Sequence, residues 1–160
     1  MGLAIKGKKV IGLALNGKKL LGEAKNGKVI WRFFIVSKLW KFTADSDVSS
    51  VAVDSSGNVY AGTDGKSVYK LDASGSQLWK FTADSDVSSV AVDSSGNVYA
   101  STYGPSLYKL DASGAQLWQF SADNFVHSVA VDSSGNVYAG TSGSSVYKLT
   151  PDGSNTTTYN

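Results

Sequence analysis

The chain has 160 residues, no cysteine, two prolines, 17 glycines and a formal net charge of +2. Without cysteine it can hold neither a disulfide nor a thiolate metal site, and no run approaches the ~18 apolar residues that mark a membrane-spanning helix. The small total charge hides two parts. Residues 1–36 carry eight Lys or Arg against one acid, Glu23, whereas residues 37–160 carry seven against twelve, a split that suggests segments with different partners.

The first predicted elements are short strands within 1–36. A ten-residue beat runs through Gly7-Lys8-Lys9-Val10, Gly17-Lys18-Lys19-Leu20 and Gly27-Lys28-Val29-Ile30. Asn16-Gly17 and Asn26-Gly27 are strong two-residue hairpin signals, because both residues accept positive φ. A β-meander of three or four strands follows, ending in Val29-Ile30-Trp31-Arg32-Phe33-Phe34. Lys6, Lys8 and Lys9 break the apolar start, so no secretory signal is expected. Lysines beside hairpin turns read as solvated edge protection rather than as a nucleic-acid face, and neither nucleic acid nor membrane is expected as a partner.

From residue 37 to 150 one 39-residue unit recurs. Trp40, Trp79 and Trp118 keep that interval, as do Asp54, Asp93 and Asp132, and Tyr60, Tyr99 and Tyr138. In the first unit, apolar and aromatic runs at 48–53, 59–63, 67–71 and 77–82 alternate with Asp, Ser, Gly and Asn clusters, which predicts four strands, A to D, joined by tight turns. Apolar or small residues occur on both parities, so each sheet needs a cover on both faces. An all-β β-propeller built of stacked four-stranded blades meets that need; a linear array is the alternative.

The count of strands is offset. Lys38–Ala44 reads as a strand D ahead of the first strand A, the third unit stops after strand C near Leu149, and residues 151–160 read as a C-terminal tail. Three blades are too few for a ring. Two chains joined head-to-tail, each lending its first strand D to the other's last blade, would give six. A monomer in which residues 1–36 supply a fourth blade is the alternative.

The run Tyr69-Lys-Leu-Asp-Ala-Ser-Gly-Ser-Gln-Leu-Trp79-Lys-Phe81, repeated at Tyr108–Phe120, resembles the repeat of pyrroloquinoline-quinone-type β-propellers. That resemblance implies that Trp40, Trp79 and Trp118 are wedges between neighbouring blades. The Asn-Gly-Lys hairpins ending in Ile30-Trp31 resemble an N-terminal segment of tailed-phage structural proteins. This implies a virion protein, made in the host cytoplasm, whose residues 1–36 plug into other virion proteins. Trp31, Phe33 and Phe34 then form the docking surface; the alternative is that they pack as ordinary core.

Differences among the copies point to a site. The A–B and C–D turns hardly vary, whereas the B–C and D–A links do, and in an up-and-down blade these lie at one end. Tyr103, Asn124, Phe125 and His127 therefore share a rim. Aromatics beside amide and hydroxyl groups suit a sugar ring; drift of tolerant loops after duplication is the alternative. His127 is the single histidine, so no histidine metal cluster and no convincing triad can form. Asp45, Asp47, Asp84 and Asp86 lack the terminal Glu of a calcium loop. No catalytic residue, metal or cofactor is expected, and the chain reads as non-enzymatic. The expected function is a structural and adhesion component of a phage or prophage particle, displaying its propeller to a cell-surface glycan with multivalency supplying affinity. The alternative is a cellular scaffold for protein–protein contacts.

Overall fold

Turn chemistry sets the strand boundaries of the repeat. Asp54 Oδ1 accepts from the backbone N–H groups of Ser56 and Asn58, both at 2.9 Å, while Oδ2 accepts from Asn58 Nδ2 and, at 3.0 Å, from the Tyr60 hydroxyl. Gly57 turns the chain at φ +80°, a left-handed conformation that favours glycine. Asp93 and Asp132 rebuild the same turn with Tyr99 and Tyr138. The aspartate holds its own hairpin closed, and the strands on either side are therefore fixed in length and register.

The computed structural model describes residues 3–5, 8–15, 18–25, 28–32, 38–153 and 156–159. Two compact units result, Met1–Leu39 and Trp40–Asn160. Among the described residues there is no helix, and so none long and apolar enough to cross a membrane.

In the first unit, β1 (Leu3–Ile5), β2 (Lys8–Leu15), β3 (Lys18–Lys25) and β4 (Lys28–Arg32) form an antiparallel sheet in chain order. Ile5 pairs with Lys8, Leu15 with Lys18 and Lys25 with Lys28, next to two-residue connections. This is the expected meander. The Asn-Gly tips, Phe33 and Phe34 lie outside the described residues.

The second unit holds three four-stranded antiparallel sheets. The first is β5 (Val48–Val53), β6 (Val59–Thr63), β7 (Ser67–Leu71) and β8 (Gln77–Thr82); the second is β9 (Val87–Val92), β10 (Val98–Thr102), β11 (Ser106–Leu110) and β12 (Gln116–Ser121). The third is β13 (Val126–Val131), β14 (Val137–Thr141), β15 (Val146–Leu149) and β16 (Thr156–Tyr159). The core lies between the sheets. Tyr60 and Val68 of the first meet Val87, Val90, Val98 and Tyr108 of the second; Tyr99 and Leu107 of the second meet Val126, Val129 and Tyr147 of the third. Stacked sheets with cores between them satisfy the two-faced pattern, as the sequence requires.

Two expectations are corrected. The third sheet does not lack a fourth strand: β16 pairs with β15 from Val146↔Tyr159 to Leu149↔Thr156, so residues 151–160 are not simply a tail. The β-branched threonines of this segment favour extended backbone, and the open edge of β15 offers unpaired backbone groups. Lys38–Ala44, in turn, is not a strand. Within the second unit no strand C precedes it to offer a sheet edge.

Candidate functional site

Backbone hydrogen bonds tie the variable links of each blade together. In each blade the link into strand A accepts from the link between strands B and C. Asp64 N–H donates to Asp47 O, Tyr103 N–H to Asp86 O and Ser142 N–H to Phe125 O, at 3.0, 2.8 and 3.0 Å. Val126 N–H adds a bond across blades to Gly104 O at 3.1 Å. A rigid frame therefore carries the side chains that differ between copies.

On this frame Tyr103 of the second blade and His127 of the third are edge-to-face, with ring centroids 6.1 Å apart. Both are exposed, and Phe125 nearby is 54% exposed. Asn124 lies against Gly143, where an added Cβ would fall 2.5 Å from its Nδ2; the glycine makes room for the amide. The four residues singled out from the sequence thus occupy neighbouring loops, with Tyr103 and His127 in direct contact. Such a surface can stack on an apolar face and hydrogen-bond at its edge.

Beneath the rim an aspartate locks each link. Asp45 accepts from Ser67 Oγ at 2.6 Å, Thr63 Oγ1 at 3.2 Å and Lys80 Nζ at 2.9 Å. Desolvation pushes its carboxyl upward, but these hydrogen bonds outweigh it and hold the group well below the usual carboxylate range. Asp84 accepts from Ser106 Oγ. Asp123 accepts from the Tyr147 hydroxyl at 2.7 Å, and that bond raises the tyrosine's pKa. These acids are engaged with their own scaffold. Among the described residues no group of three or more His, Cys, Asp or Glu could hold a metal.

Trp79 and Trp118 sit at the joints between sheets. Trp79 Nε1–H donates to Ala112 O, the C–D turn of the following blade, at 3.1 Å, and Trp118 Nε1–H donates to Pro151 O at 3.1 Å. Each ring also lies over a turn glycine, Gly114 or Gly153, at positive φ. Trp40 does the same to the first blade, with Ala73 O as acceptor at 3.2 Å and Gly75 beneath its ring. Trp31 lies on β4, opposite Gly22.

Sequence reasoning missed half of this joint. Lys70 and Lys109 donate to the same two carbonyls, Ala112 O and Pro151 O, at 3.2 and 2.7 Å. Their stems cross the faces of Tyr60 and Tyr99, with Nζ 5.3 Å from each ring centroid. The recurrence of Lys70, Lys109 and Lys148 every 39 residues was the available signal.

A family model for this type of repeat, described as outer membrane protein assembly factor BamB, matches residues 19–158. The chain belongs to the BamB family. BamB from Moraxella catarrhalis is 17% identical, with a TM-score of 0.66; the match covers 99% of this chain and 47% of that one. The β-propeller domain of Cps50 (Swd1) from Myceliophteria thermophila is 10% identical, with a TM-score of 0.64, over 73% of this chain and 38% of that one. At these identities the likeness to solved structures is one of fold: a PQQ-like β-propeller. The chain spans less than half the length of either structure. No curated protein matches the sequence.

Proposed function

We propose that this chain is a non-enzymatic adhesion protein of a phage or prophage particle, whose BamB-type blades present a loop rim to a cell-surface glycan. The observation that carries this reading is the contact of Tyr103 with His127 beside exposed Phe125. The copies differ most in the links that carry Tyr103, Asn124, Phe125 and His127, and Tyr103, Phe125 and His127 are solvent-facing. The patch is aromatic and amide-bearing, which suits a carbohydrate. Its one histidine faces a tyrosine ring rather than a nucleophile, so the geometry supports binding and not turnover. In this reading residues 1–36 join the protein to other virion proteins, as the Asn-Gly-Lys hairpins imply.

A second reading has its own support. The family is that of an outer membrane protein assembly factor, and a scaffold for protein–protein contacts would use the same rim.

The test is a glycan array and an affinity capture from host extract, run on the full chain and on Tyr103→Ser/Phe125→Ser. Glycan binding by the full chain and its loss, by about tenfold or more, in the variant is expected. Retained glycan binding moves the site off this rim. Protein capture that depends on the same residues, with no glycan bound, selects the scaffold.

A further inference from the structure

The second unit ends in two half-built joints. The leading face of β5 is open: Val48, Val51 and Val53 are 50, 63 and 60% exposed, whereas Val87 and Val90 of β9 are 0 and 6% and Val126 and Val129 of β13 are 0 and 9%. At the other end Val146 is 46% exposed, whereas Val68 and Leu107, its counterparts 78 and 39 residues earlier, are fully buried. The two open faces are the two halves of an interface that the chain itself forms twice.

Polar groups repeat the pattern. In both complete joints a Lys and a Trp converge on one turn carbonyl. Ala73 O, at the leading end, has its tryptophan, Trp40, in place. The lysine of that series would come from a blade ahead of the first, which the second unit does not hold. Lys148, at the trailing end, is the next lysine of the series, and the second unit holds no fourth sheet for it to reach. Along the inner strands, Ser50 and Ser89 hydroxyls accept from Val90 N–H and Val129 N–H of the following blade. The next in that series is Ser128, and the N–H it would meet is the counterpart of Val51.

We infer that a second copy of this chain covers both faces: two copies seat head-to-tail, with Lys38–Ala44 of each pairing with β15 of the other in place of β16. The register supports the exchange. Trp79 stands opposite Lys70 and Trp118 opposite Lys109, but β16 places Thr157 opposite Lys148. The chain's own fourth strand therefore lacks the wedge, whereas Lys38–Ala44 carries Trp40, already seated on the first blade and paired with no strand. Closed propellers take about four to eight blades. The three sheets of the second unit reach that range as a whole number of copies only with two, and a head-to-tail contact that closes leaves no open face. This inference does not depend on what the rim binds.

Light scattering on the full chain over a dilution series tests it. A mass twice the 16.8 kDa of one chain is expected. Val51→Asp is expected to give a single-chain mass with an unchanged far-ultraviolet spectrum; if that variant unfolds, Val146→Asp on the opposite face takes its place. By the register of Ser67 with Thr82, a Thr43→Cys chain mixed with a Ser145→Cys chain is expected to form a disulfide between copies. A single-chain mass throughout, an open-ended series of larger masses, or a dimer indifferent to both charge variants overturns the inference. A dimer without the mixed disulfide overturns the strand exchange.

Discussion

Strands β5 and β9 have the same sequence, Val-Ser-Ser-Val-Ala-Val, and the same pairing to their neighbours. Yet Val51 is 63% exposed and Val90 only 6%. Nothing local separates them. What differs is the sheet in front: β9 has the first blade against its face, and β5 has none within the second unit. Stability in this molecule resides in the joints, so the place of a residue in the array decides the energetic weight of its side chain, as expected for a repeat architecture.

The sharpest way to break that comparison is at the wedges. Trp79→Ala removes a ring that contacts Tyr60, Gly114 and the Ala112 carbonyl, and a loss of about 3 kcal/mol is expected by urea denaturation. Trp40, which lies against one blade only, should cost roughly half as much. Equal losses would mean that the complete joint adds nothing. Next in size, Val90→Ala should destabilise by about 2 kcal/mol and Val51→Ala by less than about 0.5 kcal/mol in the single chain. A matching loss at both positions would contradict the dependence on a neighbour.

The turns provide the control, since they are closed locally. Asp54 and Asp93 each accept four hydrogen bonds within their own hairpin. Burial raises both carboxyls, but those bonds outweigh it and lower them. Replacing either with Ala should cost about 1–2 kcal/mol, and the two variants should agree within about 0.5 kcal/mol. A carboxyl lowered on folding contributes stability that is present above its unfolded value, about pH 4, and lost as the pH falls from there. Thermal melts of the parent chain should therefore drop between about pH 4 and 2, and either Ala variant should show a smaller drop. A flat profile in the parent would count against these turns as a source of stability.

How much of this was legible follows from the same distinction. The boundaries of β5 to β8 could be read because Asp54, Gly57, Asp72 and Gly75 impose turns by short-range chemistry. The rim could be read because Tyr103, Asn124, Phe125 and His127 break an otherwise regular repeat. The lysines of the joint could not, because Lys70 and Lys109 look like solvated charges until the next blade's carbonyl is placed beside them. β16 was missed for the converse reason. Thr156–Tyr159 carries none of the Trp and Phe pattern of β8 and β12, and only the unpaired edge of β15 makes it a strand.

Because the chain has no cysteine, single thiols can report burial directly. The decisive measurement is the labelling rate of Val51→Cys against Val90→Cys, at a dilution where light scattering shows single chains. Val51→Cys should react at least about tenfold faster, because Val90 is exposed only when the joint between the first two blades opens. Equal rates at the two positions would show that the neighbouring sheet does not decide burial, and the stacked-blade picture of this chain would fail.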